Sequence, residues 1–281
     1  MQSIISNLTK DVDNNIGLII DHNESLHNYH LKPSKIKDLH NSKVIIIIDK
    51  NFEIFLTKVL DSLNQKNHSI IEIAKIPGIK LQKTTDAHHH HHEHEEAHKH
   101  EDHQHHHHSV YDYHLWLDVE IVKIASTQIA KKLSIMDSKN KDKYEANLKL
   151  FFTKLEDLDQ KIKGQLDQVK DKNFIVTHNA YQYYINKYGL RTPKSITIDH
   201  DHNIGAKTFL DLQNSIKENK VDCIFEEPQF ESNIIRKLKE NSNIKTDVLD
   251  AEWGNDNIAI EDVYFSIMNN LTESFVRCLK Q

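Results

Sequence analysis

The sequence predicts an α/β fold with two lobes, built on mainly parallel sheets flanked by helices and joined by one long linker helix. Short apolar runs alternate with amphipathic segments in the first third of the chain, which is the pattern of βα units in a parallel sheet. The same alternation returns after residue 173. Between them, apolar residues recur at helical spacing from about Lys141 to Val169, and a helix of that length spans on the order of 40 Å.

The elements of the first half follow from apolar runs and helix signals. We expect strands at 17–20 (GLII) and 43–48 (KVIIII), because both runs are apolar and the second is rich in β-branched residues. The segment PSKIKDL at 33–39 opens with a proline, which suits the first turn of a helix. A helix at 52–63, a strand at 69–76 and an amphipathic helix at 119–133 complete this half.

The second half alternates in the same way. We expect strands at 174–177, 195–199, 223–227 and 246–250, and helices at 180–188, 204–219, 231–240 and 261–279. Ligands of open α/β sheets bind beyond the carboxyl ends of the strands, so the residues just after these strands are candidates for a site. His178 directly follows the first of these strands, and Asp250 ends the last.

This pattern divides the chain into an N-terminal lobe at 1–138, a linker helix at 139–170 and a C-terminal lobe at 171–281. No run of about 18 apolar residues occurs, so we expect no membrane span. The net charge of −6 is concentrated at 86–108, which holds six acidic residues and one lysine. The remainder is nearly neutral and lacks a basic stripe, so we expect no nucleic-acid partner.

Residues 88–108 contain 13 histidines and five acidic residues in 21 positions. They follow neither strand nor helix spacing and bring no apolar surface to bury, so we expect a surface loop at 86–109. Neutral imidazoles bind Zn²⁺, Cu²⁺ and Ni²⁺, and we expect an accessory metal-binding loop here. A purification tag is the alternative, which the interrupting Glu, Asp, Lys and Gln residues disfavour. The expected loop ligands are His88, His89, His90, His91, His92, His94, His98, His100, His103, His105, His106, His107 and His108.

Single histidines outside this loop raise a second possibility. His27, His114 and His178 lie near the ends of separate elements, and with Asp250 they could form a four-coordinate zinc site. Their spacing does not connect them, and a lone histidine is more often a buried side chain with a hydrogen-bond partner. Asp250 could equally cap a helix or hold a strand end.

Several motifs resemble a known family in order along the chain. They are SLHNYHLKPSKIKDLHNSKVIIII, YHLWLD preceded by an acidic histidine-rich stretch, FIVTHNAYQYYINKYGL, FEEPQF and LD at 249–250. Together they resemble the metal-binding proteins of bacterial ABC importers, most closely the periplasmic zinc-uptake members. The resemblance implies a metal site in the cleft between the lobes.

The same resemblance implies a ligand set and a function. His27, His114 and His178 would bind Zn²⁺, with Asp250 as the fourth ligand or its neighbour. Manganese members carry Glu at the third position, so Mn²⁺ is less expected. The implied protein is a monomeric, non-catalytic periplasmic receptor that delivers zinc to a membrane permease.

The resemblance also implies a disulfide between Cys223 and Cys278, with two reduced buried thiols as the alternative.

Three features depart from the family. Leu26 stands where some zinc-uptake proteins have Glu, and LDAEWGN lacks the usual proline after the aspartate. The sequence opens at what resembles the first helix of the family, so we expect the first strand and the export signal to have been trimmed from it or lost.

Three other functions remain open. A zinc hydrolase could use the three histidines and an open water position, with Asp250 as the general base, although no HExxH motif occurs. A cytoplasmic zinc or nickel chaperone or buffer could use the histidine-rich loop alone. An adhesin with the same fold would show the same sequence pattern.

Overall fold

The computed structural model describes residues 1–21, 24, 29–63, 67–84, 110–197, 205–218, 220–228, 233–240, 242–253 and 257–280. The helices within these ranges are α1 (Gln2–Leu8), α2 (Pro33–Asn41), α3 (Thr57–Ser62), α4 (Val119–Met136), α5 (Lys141–Leu166), α6 (Gln182–Tyr188), α7 (Ala206–Lys217), α8 (Asn233–Lys239) and α9 (Val263–Leu279). The strands are β1 (Val44–Ile47), β2 (Ser69–Glu72), β3 (Gln82–Lys83), β4 (Tyr111–Asp112), β5 (Phe174–His178), β6 (Lys194–Thr197), β7 (Cys223–Glu226) and β8 (Lys245–Val248).

The second lobe contains a four-stranded sheet in the order β6-β5-β7-β8, with every pair parallel. Alternate side chains of its strands face opposite layers. Ile175 and Ile224 pack with residues of α7 and α8, whereas Phe174 and Phe225 pack against Phe275 of α9. Because β5 is covered on both faces, it is buried at all five positions, as its continuous apolar sequence predicts.

The first lobe pairs β1 with β2 in parallel and β3 with β4 in antiparallel orientation. The strand expected at 17–20 is wrong. The carbonyl groups of this segment accept hydrogen bonds from side chains: Lys35 Nζ donates to Leu18 (2.7 Å) and the Tyr29 hydroxyl donates to Ile19 (2.8 Å). A cavity of about 690 Å³ is lined by both 17–20 and 45–48, so the segment faces β1 across a cavity instead of pairing with it.

Helix α5 joins the two lobes. It has 26 residues, which corresponds to about 39 Å. It contacts α1 and α4 of the first lobe and α9 of the second, and its buried face belongs to a core that contains residues of both lobes. The two-lobe α/β fold is therefore confirmed. No helix of the described ranges is long and apolar enough to cross a membrane.

Several element boundaries differ from the sequence-based expectation, among them the strand expected at 246–250, which ends at Val248 and leaves Asp250 in the loop that follows. The helix expected at 52–63 is replaced by a 3₁₀ turn at 54–56 followed by α3, because residues 49–53 form a turn in which Asp49 accepts a hydrogen bond from Asn51 N (2.8 Å). The strand expected at 69–76 ends at Glu72, where a 3₁₀ turn begins.

The disulfide is confirmed. Cys223 of β7 is bonded to Cys278 of α9 across 55 residues of sequence. Both residues are buried, and the bond ties the sheet of the second lobe to the closing helix.

The carboxylate of Glu53 makes the stability of the first lobe depend on pH. Glu53 Oε2 accepts hydrogen bonds from the backbone nitrogens of Ile48 (2.7 Å) and Asp49 (3.1 Å). Burial is the main cause that raises the pKa of Glu53 to about 7. The folded protein therefore holds a proton that the unfolded chain has lost, and this contribution to stability disappears as the pH rises from about 4.5 through 7.

We expect Glu53→Gln to remove this pH dependence, because glutamine keeps an acceptor oxygen but does not titrate. Relative to the variant, the parent should lose on the order of 2 kcal/mol of unfolding free energy between pH 5 and 8. Urea denaturation of both proteins at several pH values measures this difference. A difference that stays constant with pH would contradict the assignment.

Candidate metal centre

His114 lies two residues after the end of β4, at the entry to a 3₁₀ turn at Leu115–Leu117. It is 6% exposed, and Asp112 beside it is 3% exposed. Asp112 Oδ1 accepts hydrogen bonds from the backbone nitrogen of His114 (2.9 Å) and from its ring Nδ1 (2.7 Å). Because the carboxylate fixes the proton on Nδ1, Nε2 is the ring nitrogen that is suited to bind a metal ion.

His178 is the last residue of β5, as the strand-end argument required, and it is 4% exposed. Its Nδ1 lies 2.8 Å from Glu227 Oε2 and 2.7 Å from Oε1. Glu227 directly follows the neighbouring strand β7 in the same sheet. The Tyr181 hydroxyl donates hydrogen bonds to Glu227 Oε1 (2.9 Å) and to the Leu249 carbonyl (3.1 Å). His178 therefore repeats the arrangement of His114, with Nδ1 held by a buried carboxylate.

The two imidazoles come from different lobes and meet between them. Their ring centres are 5.5 Å apart. Two imidazoles that share one tetrahedral zinc ion have ring centres about 5 Å apart, given Zn–N bonds of about 2.0–2.1 Å. Phe52 and Trp116 pack against His114 at 5.6 and 5.3 Å, and Trp116 Nε1 donates to the Ala251 carbonyl (2.8 Å). Aromatic rings therefore flank His114, and the spacing of the two imidazoles suits one shared metal ion.

Asp250 lies in the loop after β8. Its Oδ1 accepts hydrogen bonds from the backbone nitrogens of Glu252 (3.0 Å) and Trp253 (2.9 Å), so it holds the turn that follows the strand. Asp250 is also close to the His178 cluster. The pKa of Tyr181 is raised well above its ordinary value, mainly by burial and the charge of Glu227, with a smaller contribution from Asp250. Asp250 Oδ1 therefore stabilises a turn, and the role of Asp250 in metal binding stays a prediction.

The remaining predicted ligands lie outside the described residues. His27 falls within 25–28, and all histidines of the accessory loop fall within 85–109. Among the residues that are described, no group of three or more His, Cys, Asp or Glu side chains could hold a metal ion. The described part of the site is therefore the pair of carboxylate-held imidazoles.

Sequence reasoning missed Asp112, Glu227 and Tyr181. Glu227 satisfies the strand-end rule that identified His178, because it follows β7, so that rule could have found it. Asp112 precedes His114 by two residues, a spacing that lets a carboxylate reach the backbone and ring of the histidine. No local signal indicates Tyr181, because its partner Glu227 is 46 residues away.

The chain resembles known proteins over nearly its whole length. The family model described as "Zinc-uptake complex component A periplasmic" matches residues 1–278. A high-affinity zinc uptake system protein ZnuA of Brucella suis is 35% identical over 285 residues, covering 94% of this chain and 85% of the relative. The corresponding protein of Haemophilus ducreyi is 35% identical over 282 residues, covering 99% and 90%.

A solved structure agrees with this fold. A zinc-bound deletion mutant of ZnuA superposes with a TM-score of 0.80 at 23% identity, covering all of this chain and 95% of the other. Because the two sequences are 23% identical, this similarity shows that the two proteins share a fold and carries no argument about function.

Proposed function

Because this chain belongs to the family of the periplasmic zinc-uptake complex component A, we propose that it is the zinc receptor of an ABC importer and delivers Zn²⁺ to a membrane permease. The observation that carries the proposal is the pair His114 and His178, each buried and each held at Nδ1 by a carboxylate. Zinc sites characteristically use histidines whose second nitrogen is hydrogen-bonded in this way.

We propose His114, His178 and His27 as the zinc ligands, with Asp250 or water in the fourth position. Nitrogen ligands suit Zn²⁺ better than Mn²⁺, which prefers oxygen. Asp250 can contribute its Oδ2 while Oδ1 holds the turn, since a carboxylate has two oxygens. Zinc is the transported substrate in this proposal and not a resident cofactor.

A receptor role fits the site better than a hydrolase. A zinc hydrolase needs a general base beside the metal-bound water. Asp112 and Glu227 are both hydrogen-bonded to imidazoles, and Asp250 holds a turn. Asp112 and Glu227 therefore have structural tasks, and the family is one of solute-binding receptors.

The disulfide favours the periplasmic receptor over a cytoplasmic chaperone. Disulfides persist in oxidising compartments and are rare in the cytosol. The Cys223–Cys278 bond joins two buried residues of the second lobe, as expected of a structural disulfide. We propose a monomeric periplasmic protein whose partner is the permease.

We propose that the histidine-rich loop captures or buffers zinc near the cleft. Its two ends are held together by a hydrogen bond from Thr84 N to the Val110 carbonyl (3.1 Å), next to the β3–β4 pair. The returning chain enters β4, whose Asp112 holds His114. The last histidine of the loop, His108, is therefore only six residues before the proposed ligand His114 in the sequence.

The test is isothermal titration of the metal-free protein with Zn²⁺, beside a variant that lacks residues 88–108. We expect one tight step and several weak steps in the parent, and the tight step alone in the variant. The composition of the loop predicts no packed structure, so its ligands would have to be ordered on binding, which costs entropy. Complementation of a bacterium that lacks its own zinc-uptake component A measures delivery. Absence of a tight step in the parent would contradict the receptor function, and its loss with the loop would place the tight site on the loop.

A further inference from the structure

Four tyrosines lie in or directly before helix α6, and two of them bond to the residues that hold the proposed zinc ligands. Tyr181 precedes the helix and Tyr183 is its second residue, and both are 1% exposed. The hydroxyl of Tyr181 bonds to Glu227 and Leu249, whereas that of Tyr183 bonds to Gln82 and Asp112. The two hydroxyl groups therefore reach different parts of the molecule.

Tyr181 reaches the His178 side. Its hydroxyl donates to Glu227 Oε1 (2.9 Å), and the carboxylate of Glu227 holds His178 Nδ1. The same hydroxyl donates to the carbonyl of Leu249 (3.1 Å), the residue before Asp250. Tyr181 thus fixes the carboxylate that orients one imidazole and the backbone beside the proposed fourth position.

Tyr183 reaches the His114 side. Its hydroxyl accepts a hydrogen bond from Gln82 N (2.9 Å) and donates one to the Asp112 carbonyl (3.1 Å). Gln82 and Asp112 are opposite each other in the β3–β4 pair. The side chain of Asp112 holds both the backbone and Nδ1 of His114. Tyr183 therefore fixes the backbone of the residue that orients the second imidazole.

Two amide side chains strengthen the attachment of α6 to the β3–β4 pair. Gln182 Nε2 donates to Gln82 Oε1 and to the Lys83 carbonyl, both at 2.9 Å. Asn186 Nδ2 donates to the same Gln82 oxygen (2.7 Å). These contacts cross from the second lobe to the first, so α6 is fixed to the elements that present both imidazoles.

We infer that the first turn of α6 sets the distance and orientation of the two zinc-binding imidazoles, with Tyr181 and Tyr183 as positioning residues that act through Glu227 and Asp112. This inference rests on the proposed function. Both hydroxyl groups act on a carboxylate-bearing residue, and neither tyrosine belongs to the proposed ligand set. Their removal should loosen the geometry of the site without removing a ligand.

The same helix offers matched controls. Tyr184 and Tyr188 are also buried, and their hydroxyl groups bond to Thr272 (2.7 Å) and Asp159 (3.0 Å), away from the two imidazoles. A change of any of the four to phenylalanine removes a buried hydroxyl hydrogen bond from α6. Only Tyr181→Phe and Tyr183→Phe disconnect that helix from the residues that hold His178 and His114.

The experiment measures zinc affinity in the full chain by competition with a chelator, which reports the tightest site and leaves weak sites out. We expect Tyr181→Phe and Tyr183→Phe each to lower zinc affinity about tenfold, at the low end of the 10–100-fold range for outer-shell partners. Tyr184→Phe and Tyr188→Phe should stay within about twofold of the parent at a similar loss of Tm. The visible absorption of bound Co²⁺, which reports ligand geometry, should change in the first two variants alone.

If the parent protein binds one zinc ion tightly, two results would overturn the inference. One is parental zinc affinity and an unchanged Co²⁺ spectrum in Tyr181→Phe and Tyr183→Phe. The other is an equal loss of affinity in all four variants, which would indicate a general effect of destabilising α6. A parent without a tight site would instead contradict the proposed function, and the inference with it.

Discussion

Replacing His114 and His178 together with alanine is expected to lower the zinc affinity of the tight site by at least about 1,000-fold. Loss of an outer-shell partner alone costs 10–100-fold, and this variant removes two ligands. Both imidazoles are buried and lie 5.5 Å apart between the lobes, so one ion would lose both bonds at once. Chelator competition measures the affinity, and circular dichroism checks that the variant is folded. Adding His27→Ala tests the proposed third ligand.

The control removes two histidines from the first lobe outside the proposed site. His40 is exposed near the end of α2, and His68 Nδ1 contacts the Ser42 carbonyl (2.7 Å). We expect His40→Ala with His68→Ala to bind zinc as the parent does. If the His114 and His178 variant also bound zinc with parental affinity, the cleft assignment would be wrong. The histidine-rich loop would then account for the metal chemistry, and a buffer or chaperone would be the better proposal.

Removing the disulfide is expected to cost about 4 kcal/mol of unfolding free energy. The bond closes a loop of 55 residues, and the chain-entropy relation gives about 4 kcal/mol for a loop of that length. Cys223→Ala with Cys278→Ala should therefore unfold at a much lower urea concentration than the oxidised parent. Both residues are in the second lobe, and neither is a proposed ligand, so the folded variant should still bind one tight zinc ion.

The reduced parent provides the comparison for this prediction. In the presence of a strong thiol reductant, the parent should unfold close to the double variant, because the same constraint on the unfolded chain has been removed. A loss below about 1 kcal/mol would show that the unfolded chain is already restricted without the bond, contrary to the entropic account.

The two central strands of the second lobe's sheet, β5 and β7, were predictable because they are buried between layers of helices. A strand in that position is apolar at successive positions, and β5 begins with FIV and is buried at all five of its residues. The run GLII at 17–20 has similar composition but is not a strand. Its carbonyls accept hydrogen bonds from Lys35 and Tyr29 side chains. An apolar run indicates that a segment is buried. It does not show whether the segment is buried within a sheet or against a cavity or a loop.

The candidate site was predictable to a smaller degree. The strand-end rule identified His178, because parallel strands place their carboxyl ends at one edge of the sheet. The carboxylate that holds it, Glu227, is 49 residues away, and Tyr183 lies 71 residues from Asp112. Such pairs form only when strands and helices pack together. The spacing of residues along the sequence does not predict that packing. The family resemblance indicated the histidines but gave no role to Asp112, Glu227, Tyr181 or Tyr183.

The most direct test of the zinc-receptor account is anomalous diffraction at the zinc absorption edge from crystals of the zinc-loaded protein. The account predicts a strong peak between the lobes, about 2.0–2.1 Å from Nε2 of both His114 and His178. Zinc bound through Nδ1 of either residue would contradict the role given to Asp112 and Glu227. Zinc found only on the histidines of 88–108, with no peak between His114 and His178, would contradict the cleft receptor itself.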